Sequence, residues 1–105
     1  MHSVPEIDPD SAKRRLDAGD ATFVDVRDPD SYRAARIPGA VHVTDETLET
    51  FLDETDRGRA VIVYCYHGNS SVGGAAFFLE QGFKEVYSMS GGFEAWRGVY
   101  DQETS

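Results

Sequence analysis

Short apolar runs alternate with segments of helical spacing along this chain. The runs at residues 22–26, 40–43, 60–64 and 85–87 have the length of strands, and helical segments follow them. The run at 60–64 is apolar throughout, which is typical of a central strand covered on both faces of a sheet. The repeated order of strand and then helix predicts an α/β domain with a mainly parallel sheet.

Capping residues mark where the helices begin and end. Asp8-Pro9 predicts a helix that runs through Leu16 and stops at Gly19, because an N-cap side chain precedes a proline suited to the first helical position. Asp28-Pro29 predicts in the same way a short helix around Tyr32. Further helices are predicted at residues 47–54, at 71–81 and after the glycine pair at 91–92.

The last two predicted helices carry apolar residues that we expect to face the core. In the helix at 71–81, positions i, i+3, i+4 and i+7 form an apolar stripe that consists of Val72, Ala75, Ala76 and Leu79. Gly82 follows as the C-terminal cap. Phe93 and Trp96 in the final helix are expected to be core anchors rather than substrate contacts.

Composition limits the size of the domain and its partners. The 105 residues, 40% of them hydrophobic, suffice for a single domain over residues 1–105, of which about 98–105 are expected to form a flexible tail. The net charge of −9 opposes binding to nucleic acid and to anionic membranes, so an anionic substrate needs a local positive feature. No apolar run resembles a signal peptide or a membrane span, and a cytoplasmic protein is expected.

The only cysteine, Cys65, directly follows the predicted central strand. This is the edge of a parallel sheet at which ligands bind. Gly68 accepts a positive φ and Asn69 tolerates one, so the loop after Cys65 can curl and turn its backbone N–H groups inward. The next helix adds unpaired amides at its N-terminus, with Ser70 or Ser71 as N-cap. Such a ring of donors favours the thiolate of Cys65, which is the nucleophilic form.

Other interpretations of Cys65 fit the surrounding residues less well. An inert core cysteine is the common case, but Tyr66 and His67 are poor choices for a buried connection. His42 and His67 offer too few partners for zinc, and His67 is too close in the chain to align as a base for Cys65. We therefore predict no metal and no cofactor. The loop predicted to hold an anion on the Cys65 sulfur consists of Tyr66, His67, Gly68, Asn69, Ser70 and Ser71.

Four stretches of the sequence occur in an order that resembles a known family. They are VDVRD at 24–28, SYRAARIPGA at 31–40, CYHGNSS at 65–71 and SGGFEAW at 90–96. In this order they resemble four motifs of the rhodanese superfamily: a strand-end D-x-R element, a stretch ending in I-x-G-A, the active-site loop and the closing G-G-x-x-x-W motif. Within the superfamily, the resemblance is closest to the single-domain GlpE-type thiosulfate sulfurtransferases. The resemblance implies a five-stranded, mainly parallel sheet with helices on both faces.

The resemblance also implies a reaction at Cys65 as the catalytic residue. Its thiolate would attack the outer sulfur of thiosulfate, release sulfite and keep a persulfide, which cyanide or a thiol such as that of thioredoxin would then remove. Asp25 and Arg27 would lie near the loop, where they brace it, present charge to it or form a structural ion pair. His67 would place partial positive charge near thiosulfate.

The same family pattern separates sulfur transfer from phosphoryl chemistry. Rhodanese-fold phosphatases and arsenate reductases carry an arginine six positions after the cysteine, where it clamps an oxyanion. Ser71 occupies that position here, and no arginine occurs between Cys65 and Glu80. One departure is Ala35-Arg36 in place of the usual Gly-His, and we expect Arg36 to be a solvated surface residue.

Two further classes of function stay open at this stage. A sulfur-relay protein would accept its sulfur from the persulfide of another protein rather than from thiosulfate. A non-catalytic rhodanese-like module would bind a partner and form no persulfide, although the retained Cys65 and its intact loop argue against it.

Overall fold

A computed structural model describes residues 4–104 of the chain. Within this range strands and helices alternate. In chain order the elements are β1 (Glu6–Ile7), α1 (Pro9–Ala18), β2 (Ala21–Asp25), α2 (Pro29–Ala34), β3 (Val41–His42), α3 (Leu48–Glu54), β4 (Ala60–Tyr64), α4 (Ser70–Glu80), β5 (Val86–Met89) and α5 (Gly92–Arg97).

The strands form one five-stranded sheet in the order β1-β5-β4-β2-β3, and each pairing is parallel. This confirms the predicted fold class. Strand β4 is central and all five of its residues are buried, as its continuous apolar sequence predicts. Strands β2 and β4 run in register from Ala21 beside Ala60 to Asp25 beside Tyr64, so both end at the same edge. Cys65 leaves the sheet at that edge.

Helices cover both faces of the sheet and give the molecule two apolar layers. Helices α1 and α5 contribute Ala12, Phe93 and Trp96 to one layer, against Phe23 and Ile62 of the strands. Helices α3 and α4 contribute to the other layer, which consists of Val24, Val43, Phe51, Val61, Val63, Ala75, Phe78, Phe83 and Val86. Phe93 and Trp96 are thus buried core residues, as expected. None of the helices within residues 4–104 has the length and apolar character needed to cross a membrane.

The helix starts predicted from the Asp-Pro pairs are confirmed. The Asp8 carboxylate accepts a hydrogen bond from the backbone N–H of Ser11 at 3.1 Å, and Asp28 accepts one from Ser31 at the same distance. Gly19 ends α1 in the left-handed conformation. Helix α4 ends with Gln81 as its C-cap, and Gly82 follows with a φ of +97°, so glycine stops this helix too.

The core stripe predicted for α4 is confirmed at Ala75 but wrong at Val72. The buried residues are Ser71, Ala75 and Phe78, whereas Val72 is exposed. Apolar residues surround α4 on most sides, so periodicity alone does not fix its rotation. Gly74 faces the sheet closely, because a Cβ built on it would lie 3.3 Å from Val63 Cγ1. The lack of a side chain at Gly74 and the inward hydroxyl of Ser71 determine which face of α4 packs on the sheet.

The environment of Arg36 also differs from expectation. Arg36 is buried, its guanidinium donates to the Tyr32 carbonyl at 3.0 Å, and its backbone exchanges hydrogen bonds with Glu103 at 2.8 and 2.9 Å. The Glu103 carboxylate also accepts from the Gly39 amide at 2.7 Å. Arg36 is therefore part of a contact with Glu103 rather than a solvated side chain, and the flexible tail at about 98–105 stays a prediction.

Candidate active site

Cys65 lies between β4 and α4 with its sulfur enclosed by the loop that follows. Its side chain is 6% exposed. Sγ accepts hydrogen bonds from the backbone N–H of Gly68 at 3.1 Å and of Ser71 at 3.3 Å, and it lies 3.5 Å from the Ser71 hydroxyl. The predicted ring of inward-facing amides around Cys65 therefore exists in the structure.

The curl of the loop depends on the start of α5. The N–H of Phe93 donates to the Cys65 carbonyl at 2.8 Å, and the N–H of Glu94 donates to the Tyr66 carbonyl at 2.9 Å. Because these carbonyls face α5, the loop turns its later amides towards the sulfur. Gly68 makes that turn with a φ of +96°, in the region that favours glycine.

The first turn of α4 supplies one of the two amide donors. The N-cap of α4 is Asn69, which has a negative φ and whose side chain makes no capping hydrogen bond. Ser70 and Ser71 are the first and second helical residues, so the prediction that one of these serines is the N-cap is wrong. Since the Asn69 side chain makes no capping hydrogen bond, the Ser71 amide is available to the sulfur.

The electrostatic balance at Cys65 favours the thiolate. Burial raises the pKa of the thiol, but hydrogen bonds from the Ser71 hydroxyl and from the amides of Ser71, Gly68 and His67 lower it by more. The pKa therefore lies below the ordinary value for a cysteine. The shift increases the fraction of Cys65 that is thiolate, which is the reactive form of the residue.

Sequence reasoning missed one polar residue of the site, Ser88 on β5. Its hydroxyl lies 2.7 Å from that of Ser71, and both side chains are fully buried. The signal for it was present, because Ser88 lies two residues after Val86 and thus on the same face of a buried strand. A hydroxyl at such a position needs a buried partner.

Asp25 and Arg27 form a buried ion pair at the end of β2. The Arg27 guanidinium donates to the Asp25 carboxylate at 2.7 Å and also to the Ala35 carbonyl. Its charged centre lies 4.4 Å from the centre of the Phe93 ring. Among the contacts of residues 4–104, none joins either residue to the Cys65 sulfur. Arg27 thus contacts Phe93, whose amide binds the Cys65 carbonyl, and a direct effect of the pair's charge on the sulfur stays a prediction.

The remaining predicted loop residues line the outer side of the turn. The His67 side chain is exposed and packs against the half-buried ring of Tyr66, with 4.9 Å between ring centres. Arg97 of α5 lies 6.0 Å from the Tyr66 ring. Asn69 and Ser70 are exposed. In the part of the chain that the structure describes, no group of three or more His, Cys, Asp or Glu residues is arranged to hold a metal ion.

Comparison with known proteins assigns the family. The family model of the rhodanese-like domain matches residues 8–98. The chain therefore belongs to the rhodanese-like domain family, and this membership supports a sulfurtransferase or related activity.

Solved structures agree with this assignment. The rhodanese-like domain of an Anabaena sp. protein is 27% identical, with a TM-score of 0.85 over 100% of this chain and 81% of that chain. A rhodanese-related protein from Thermoplasma volcanium is 20% identical, with a TM-score of 0.82 over 96% and 99%, and shows the fold alone. A protein of unknown function from Rhodopseudomonas palustris, a possible tyrosine phosphatase, is 28% identical, with a TM-score of 0.77 over 91% and 81%.

Proposed function

We propose that this protein is a thiosulfate sulfurtransferase that carries sulfur as a persulfide on Cys65. The observation that supports the proposal is the Cys65 sulfur held by the Gly68 and Ser71 amides at the end of the central strand. The thiolate attacks the outer sulfur of thiosulfate, a bond forms between that sulfur and Sγ, and the sulfur–sulfur bond of thiosulfate breaks. Sulfite leaves with the bonding electron pair, and the negative charge passes to the terminal sulfur of the persulfide.

The second half of the reaction returns the enzyme to its starting state. A nucleophile, either cyanide or a thiolate such as that of thioredoxin, attacks the terminal sulfur. The bond between that sulfur and Sγ breaks, and its electron pair returns to Cys65 as a thiolate. With cyanide the product is thiocyanate, and no oxidant or reductant is consumed.

The distribution of charge is consistent with an anionic donor despite the net charge of −9. Residues 60–79, which contain the loop, include no Asp, Glu, Lys or Arg. An anion that reaches Cys65 therefore meets amide donors with no carboxylate on the same segment. This is the local feature that an anionic substrate of an acidic protein requires.

Phosphatase chemistry is the second candidate, because one structural neighbour is a possible tyrosine phosphatase. A phosphatase loop of this kind needs a guanidinium to clamp the three equatorial oxygens of the transferred group. Ser71 stands at the position of that arginine, and its short side chain is directed at the Cys65 sulfur and Ser88. The proposal of sulfur transfer is therefore the better supported of the two.

The test is the intact mass of the reduced protein after incubation with thiosulfate and again after addition of cyanide, with Cys65→Ser as the control. We expect a gain of one sulfur atom that cyanide removes and that the variant does not show. A gain from a persulfidated desulfurase but not from thiosulfate would assign the protein to the sulfur-relay class. No gain from either donor would favour a binding module, and release of phosphate from an aryl phosphate would favour the phosphatase.

A further inference from the structure

The hydroxyls of Ser71 and Ser88 form a buried pair beside the catalytic sulfur. Ser71 lies in the first turn of α4 and Ser88 on β5, and their side chains are 0% and 1% exposed. The two hydroxyl oxygens are 2.7 Å apart, and that of Ser71 is 3.5 Å from Cys65 Sγ. We propose that Ser88 is a positioning residue that orients the Ser71 hydroxyl as a donor to the Cys65 sulfur, and so stabilises this sulfur whenever it carries negative charge.

The direction of the hydrogen bonds follows from the number of protons available. If Cys65 is a thiol that donates a hydrogen bond to Ser71, the Ser71 hydroxyl donates to that of Ser88. The Ser88 hydroxyl then needs a third group as its acceptor. Among the described residues, the Ser88 hydroxyl has Ser71 as its side-chain partner and no other. With Cys65 as a thiolate, Ser88 donates to Ser71 and Ser71 donates to the sulfur, so each proton has an acceptor.

Burial makes this difference large enough to matter. A hydroxyl proton without an acceptor inside a protein is costly, whereas a hydrogen bond to a charged acceptor is stronger than one between neutral groups. Ser88 stands among valines on its face of the sheet, since Val86 precedes it by two residues and Val63 pairs with it on β4. Ser88 is 1% exposed, so bulk solvent does not reach it, and the Ser71 hydroxyl satisfies that of Ser88.

The charged groups on the elements around Cys65 are paired with one another. On the loop the titratable groups are Tyr66 and His67, whose rings pack on each other at the surface. Glu94 and Arg97 of α5 form an ion pair at 3.4 Å. Asp25 at the end of β2 and Arg27 just after it form the buried pair. Helix α4 carries no charged residue before Glu80, and β5 presents Ser88.

A consequence for sulfur transfer follows if the proposed function holds. Sγ is negatively charged before it attacks the donor and again when the terminal sulfur leaves, but it is neutral in the persulfide. The serine pair acts on Sγ itself, so it favours both the attacking thiolate and the departing thiolate. Loss of the pair should therefore slow the discharge of the persulfide to cyanide as well as its formation.

The direct test is the pKa of Cys65 in the reduced protein, measured from the pH dependence of alkylation by iodoacetamide. Because the chain has one cysteine, the signal has a single source. We expect Ser88→Ala to raise this pKa and to slow alkylation at neutral pH about threefold to tenfold, and Ser71→Ala to slow it more, since Ser71 contacts the sulfur directly. In a Ser71→Ala background, Ser88→Ala should have no further effect.

Matched variants separate positioning from a general structural role. Ser88→Thr retains the hydroxyl and Ser88→Val replaces it with a methyl group of similar shape, so the comparison holds even if Ser88→Ala does not fold. We expect the Thr variant to keep the low pKa of Cys65 and the Val variant to lose it. Ser90→Ala is the control, because this hydroxyl lies two residues along the chain and faces Glu6 at 3.3 Å. The proposal would be overturned if Ser88→Val left the pKa of Cys65 unchanged. It would also be overturned if Ser88→Ala changed this pKa as much in the Ser71→Ala background as in the wild type.

The two proposals fail in distinguishable ways. If Cys65 responds to Ser88 in alkylation but the wild-type protein forms no persulfide, the serine pair is established and sulfur transfer is not. If the wild-type protein forms a persulfide and neither Ser88→Ala nor Ser88→Val changes the pKa of Cys65, sulfur transfer stands and the role of Ser88 falls.

Discussion

Gly92 is the residue at which the start of α5 meets the backbone of the catalytic loop. Its φ is +59°, and a Cβ built there would lie 2.5 Å from the Tyr66 carbonyl oxygen and 2.6 Å from that of Cys65. The neighbouring amides of Phe93 and Glu94 bind these same carbonyls. Glycine is therefore required twice, once for the backbone conformation and once for the close approach that shapes the loop.

Gly92→Ala should consequently damage both stability and the site. We expect the free energy of unfolding to fall by about 3–5 kcal/mol, because left-handed strain and a clash with backbone atoms add. Alkylation of Cys65 at neutral pH should slow as well, because the amides around the sulfur shift. Denaturant unfolding and alkylation rates measure the two effects.

Gly19→Ala is the matched control for Gly92. Gly19 also has a left-handed backbone, with a φ of +70°, but a Cβ there meets no atom within 4 Å. Its substitution should cost only about 1–2 kcal/mol and leave the alkylation of Cys65 unchanged. Equal losses in the two variants would show that backbone conformation, and not close packing on the loop, explains the glycine at position 92.

At the scale of elements, α1 and α2 begin in the same way and give their capping carboxylates the same environment. The side chain and then the amide of Ser31 donate hydrogen bonds to Asp28, and these lower the pKa of its carboxyl group. A carboxyl whose pKa is lower in the folded protein stabilises the fold above its unfolded value of about 3.9. That contribution is lost as the pH falls through the folded pKa.

Asp28→Asn separates the charge of the cap from its hydrogen bond. Asparagine is an equally good N-cap but does not titrate in this range. As the pH is lowered from about 6 to about 3, the Tm of the wild-type protein should fall towards or below that of Asp28→Asn, because only the wild type loses the charge of the Asp28 carboxylate. Asp28→Ala, which removes the cap at every pH, serves as the reference. Parallel Tm curves for the wild type and Asp28→Asn would contradict this account.

Features that adjacent residues determine could be predicted from the sequence. The two Asp-Pro starts and the central strand each depend on neighbours within a few positions. Strand β1 could not be found in this way, because its two residues form a strand only by pairing with β5.

Features that depend on distant partners could not be predicted. Ser71 meets Ser88 across 17 positions, and Arg36 meets Glu103 across 67. The rotation of α4 depends in turn on Gly74 packing against Val63. In each case the local sequence is compatible with more than one arrangement, and the tertiary contact determines which one forms.

At the scale of the whole molecule, the field of the net charge of −9 competes with the local attraction of the Cys65 loop. The molecule measures 32 × 27 × 26 Å, so at an ionic strength of about 0.01 M, where the Debye length is about 30 Å, an approaching anion is repelled by most of the surface charge. At about 0.15 M the screening length is about 8 Å, and mainly the uncharged segment around Cys65 acts on it.

Two alkylating reagents that differ by one charge measure this competition without reference to any substrate. Iodoacetate is an anion and iodoacetamide is neutral, and both react with the Cys65 thiolate, so a change in its pKa cancels in the ratio of their rates. We expect the ratio of iodoacetate to iodoacetamide rates to rise about twofold to fourfold between about 0.01 and 0.15 M salt. If the ratio fell instead as salt is added, the loop amides and the N-terminus of α4 would attract anions at low salt more strongly than the acidic surface repels them.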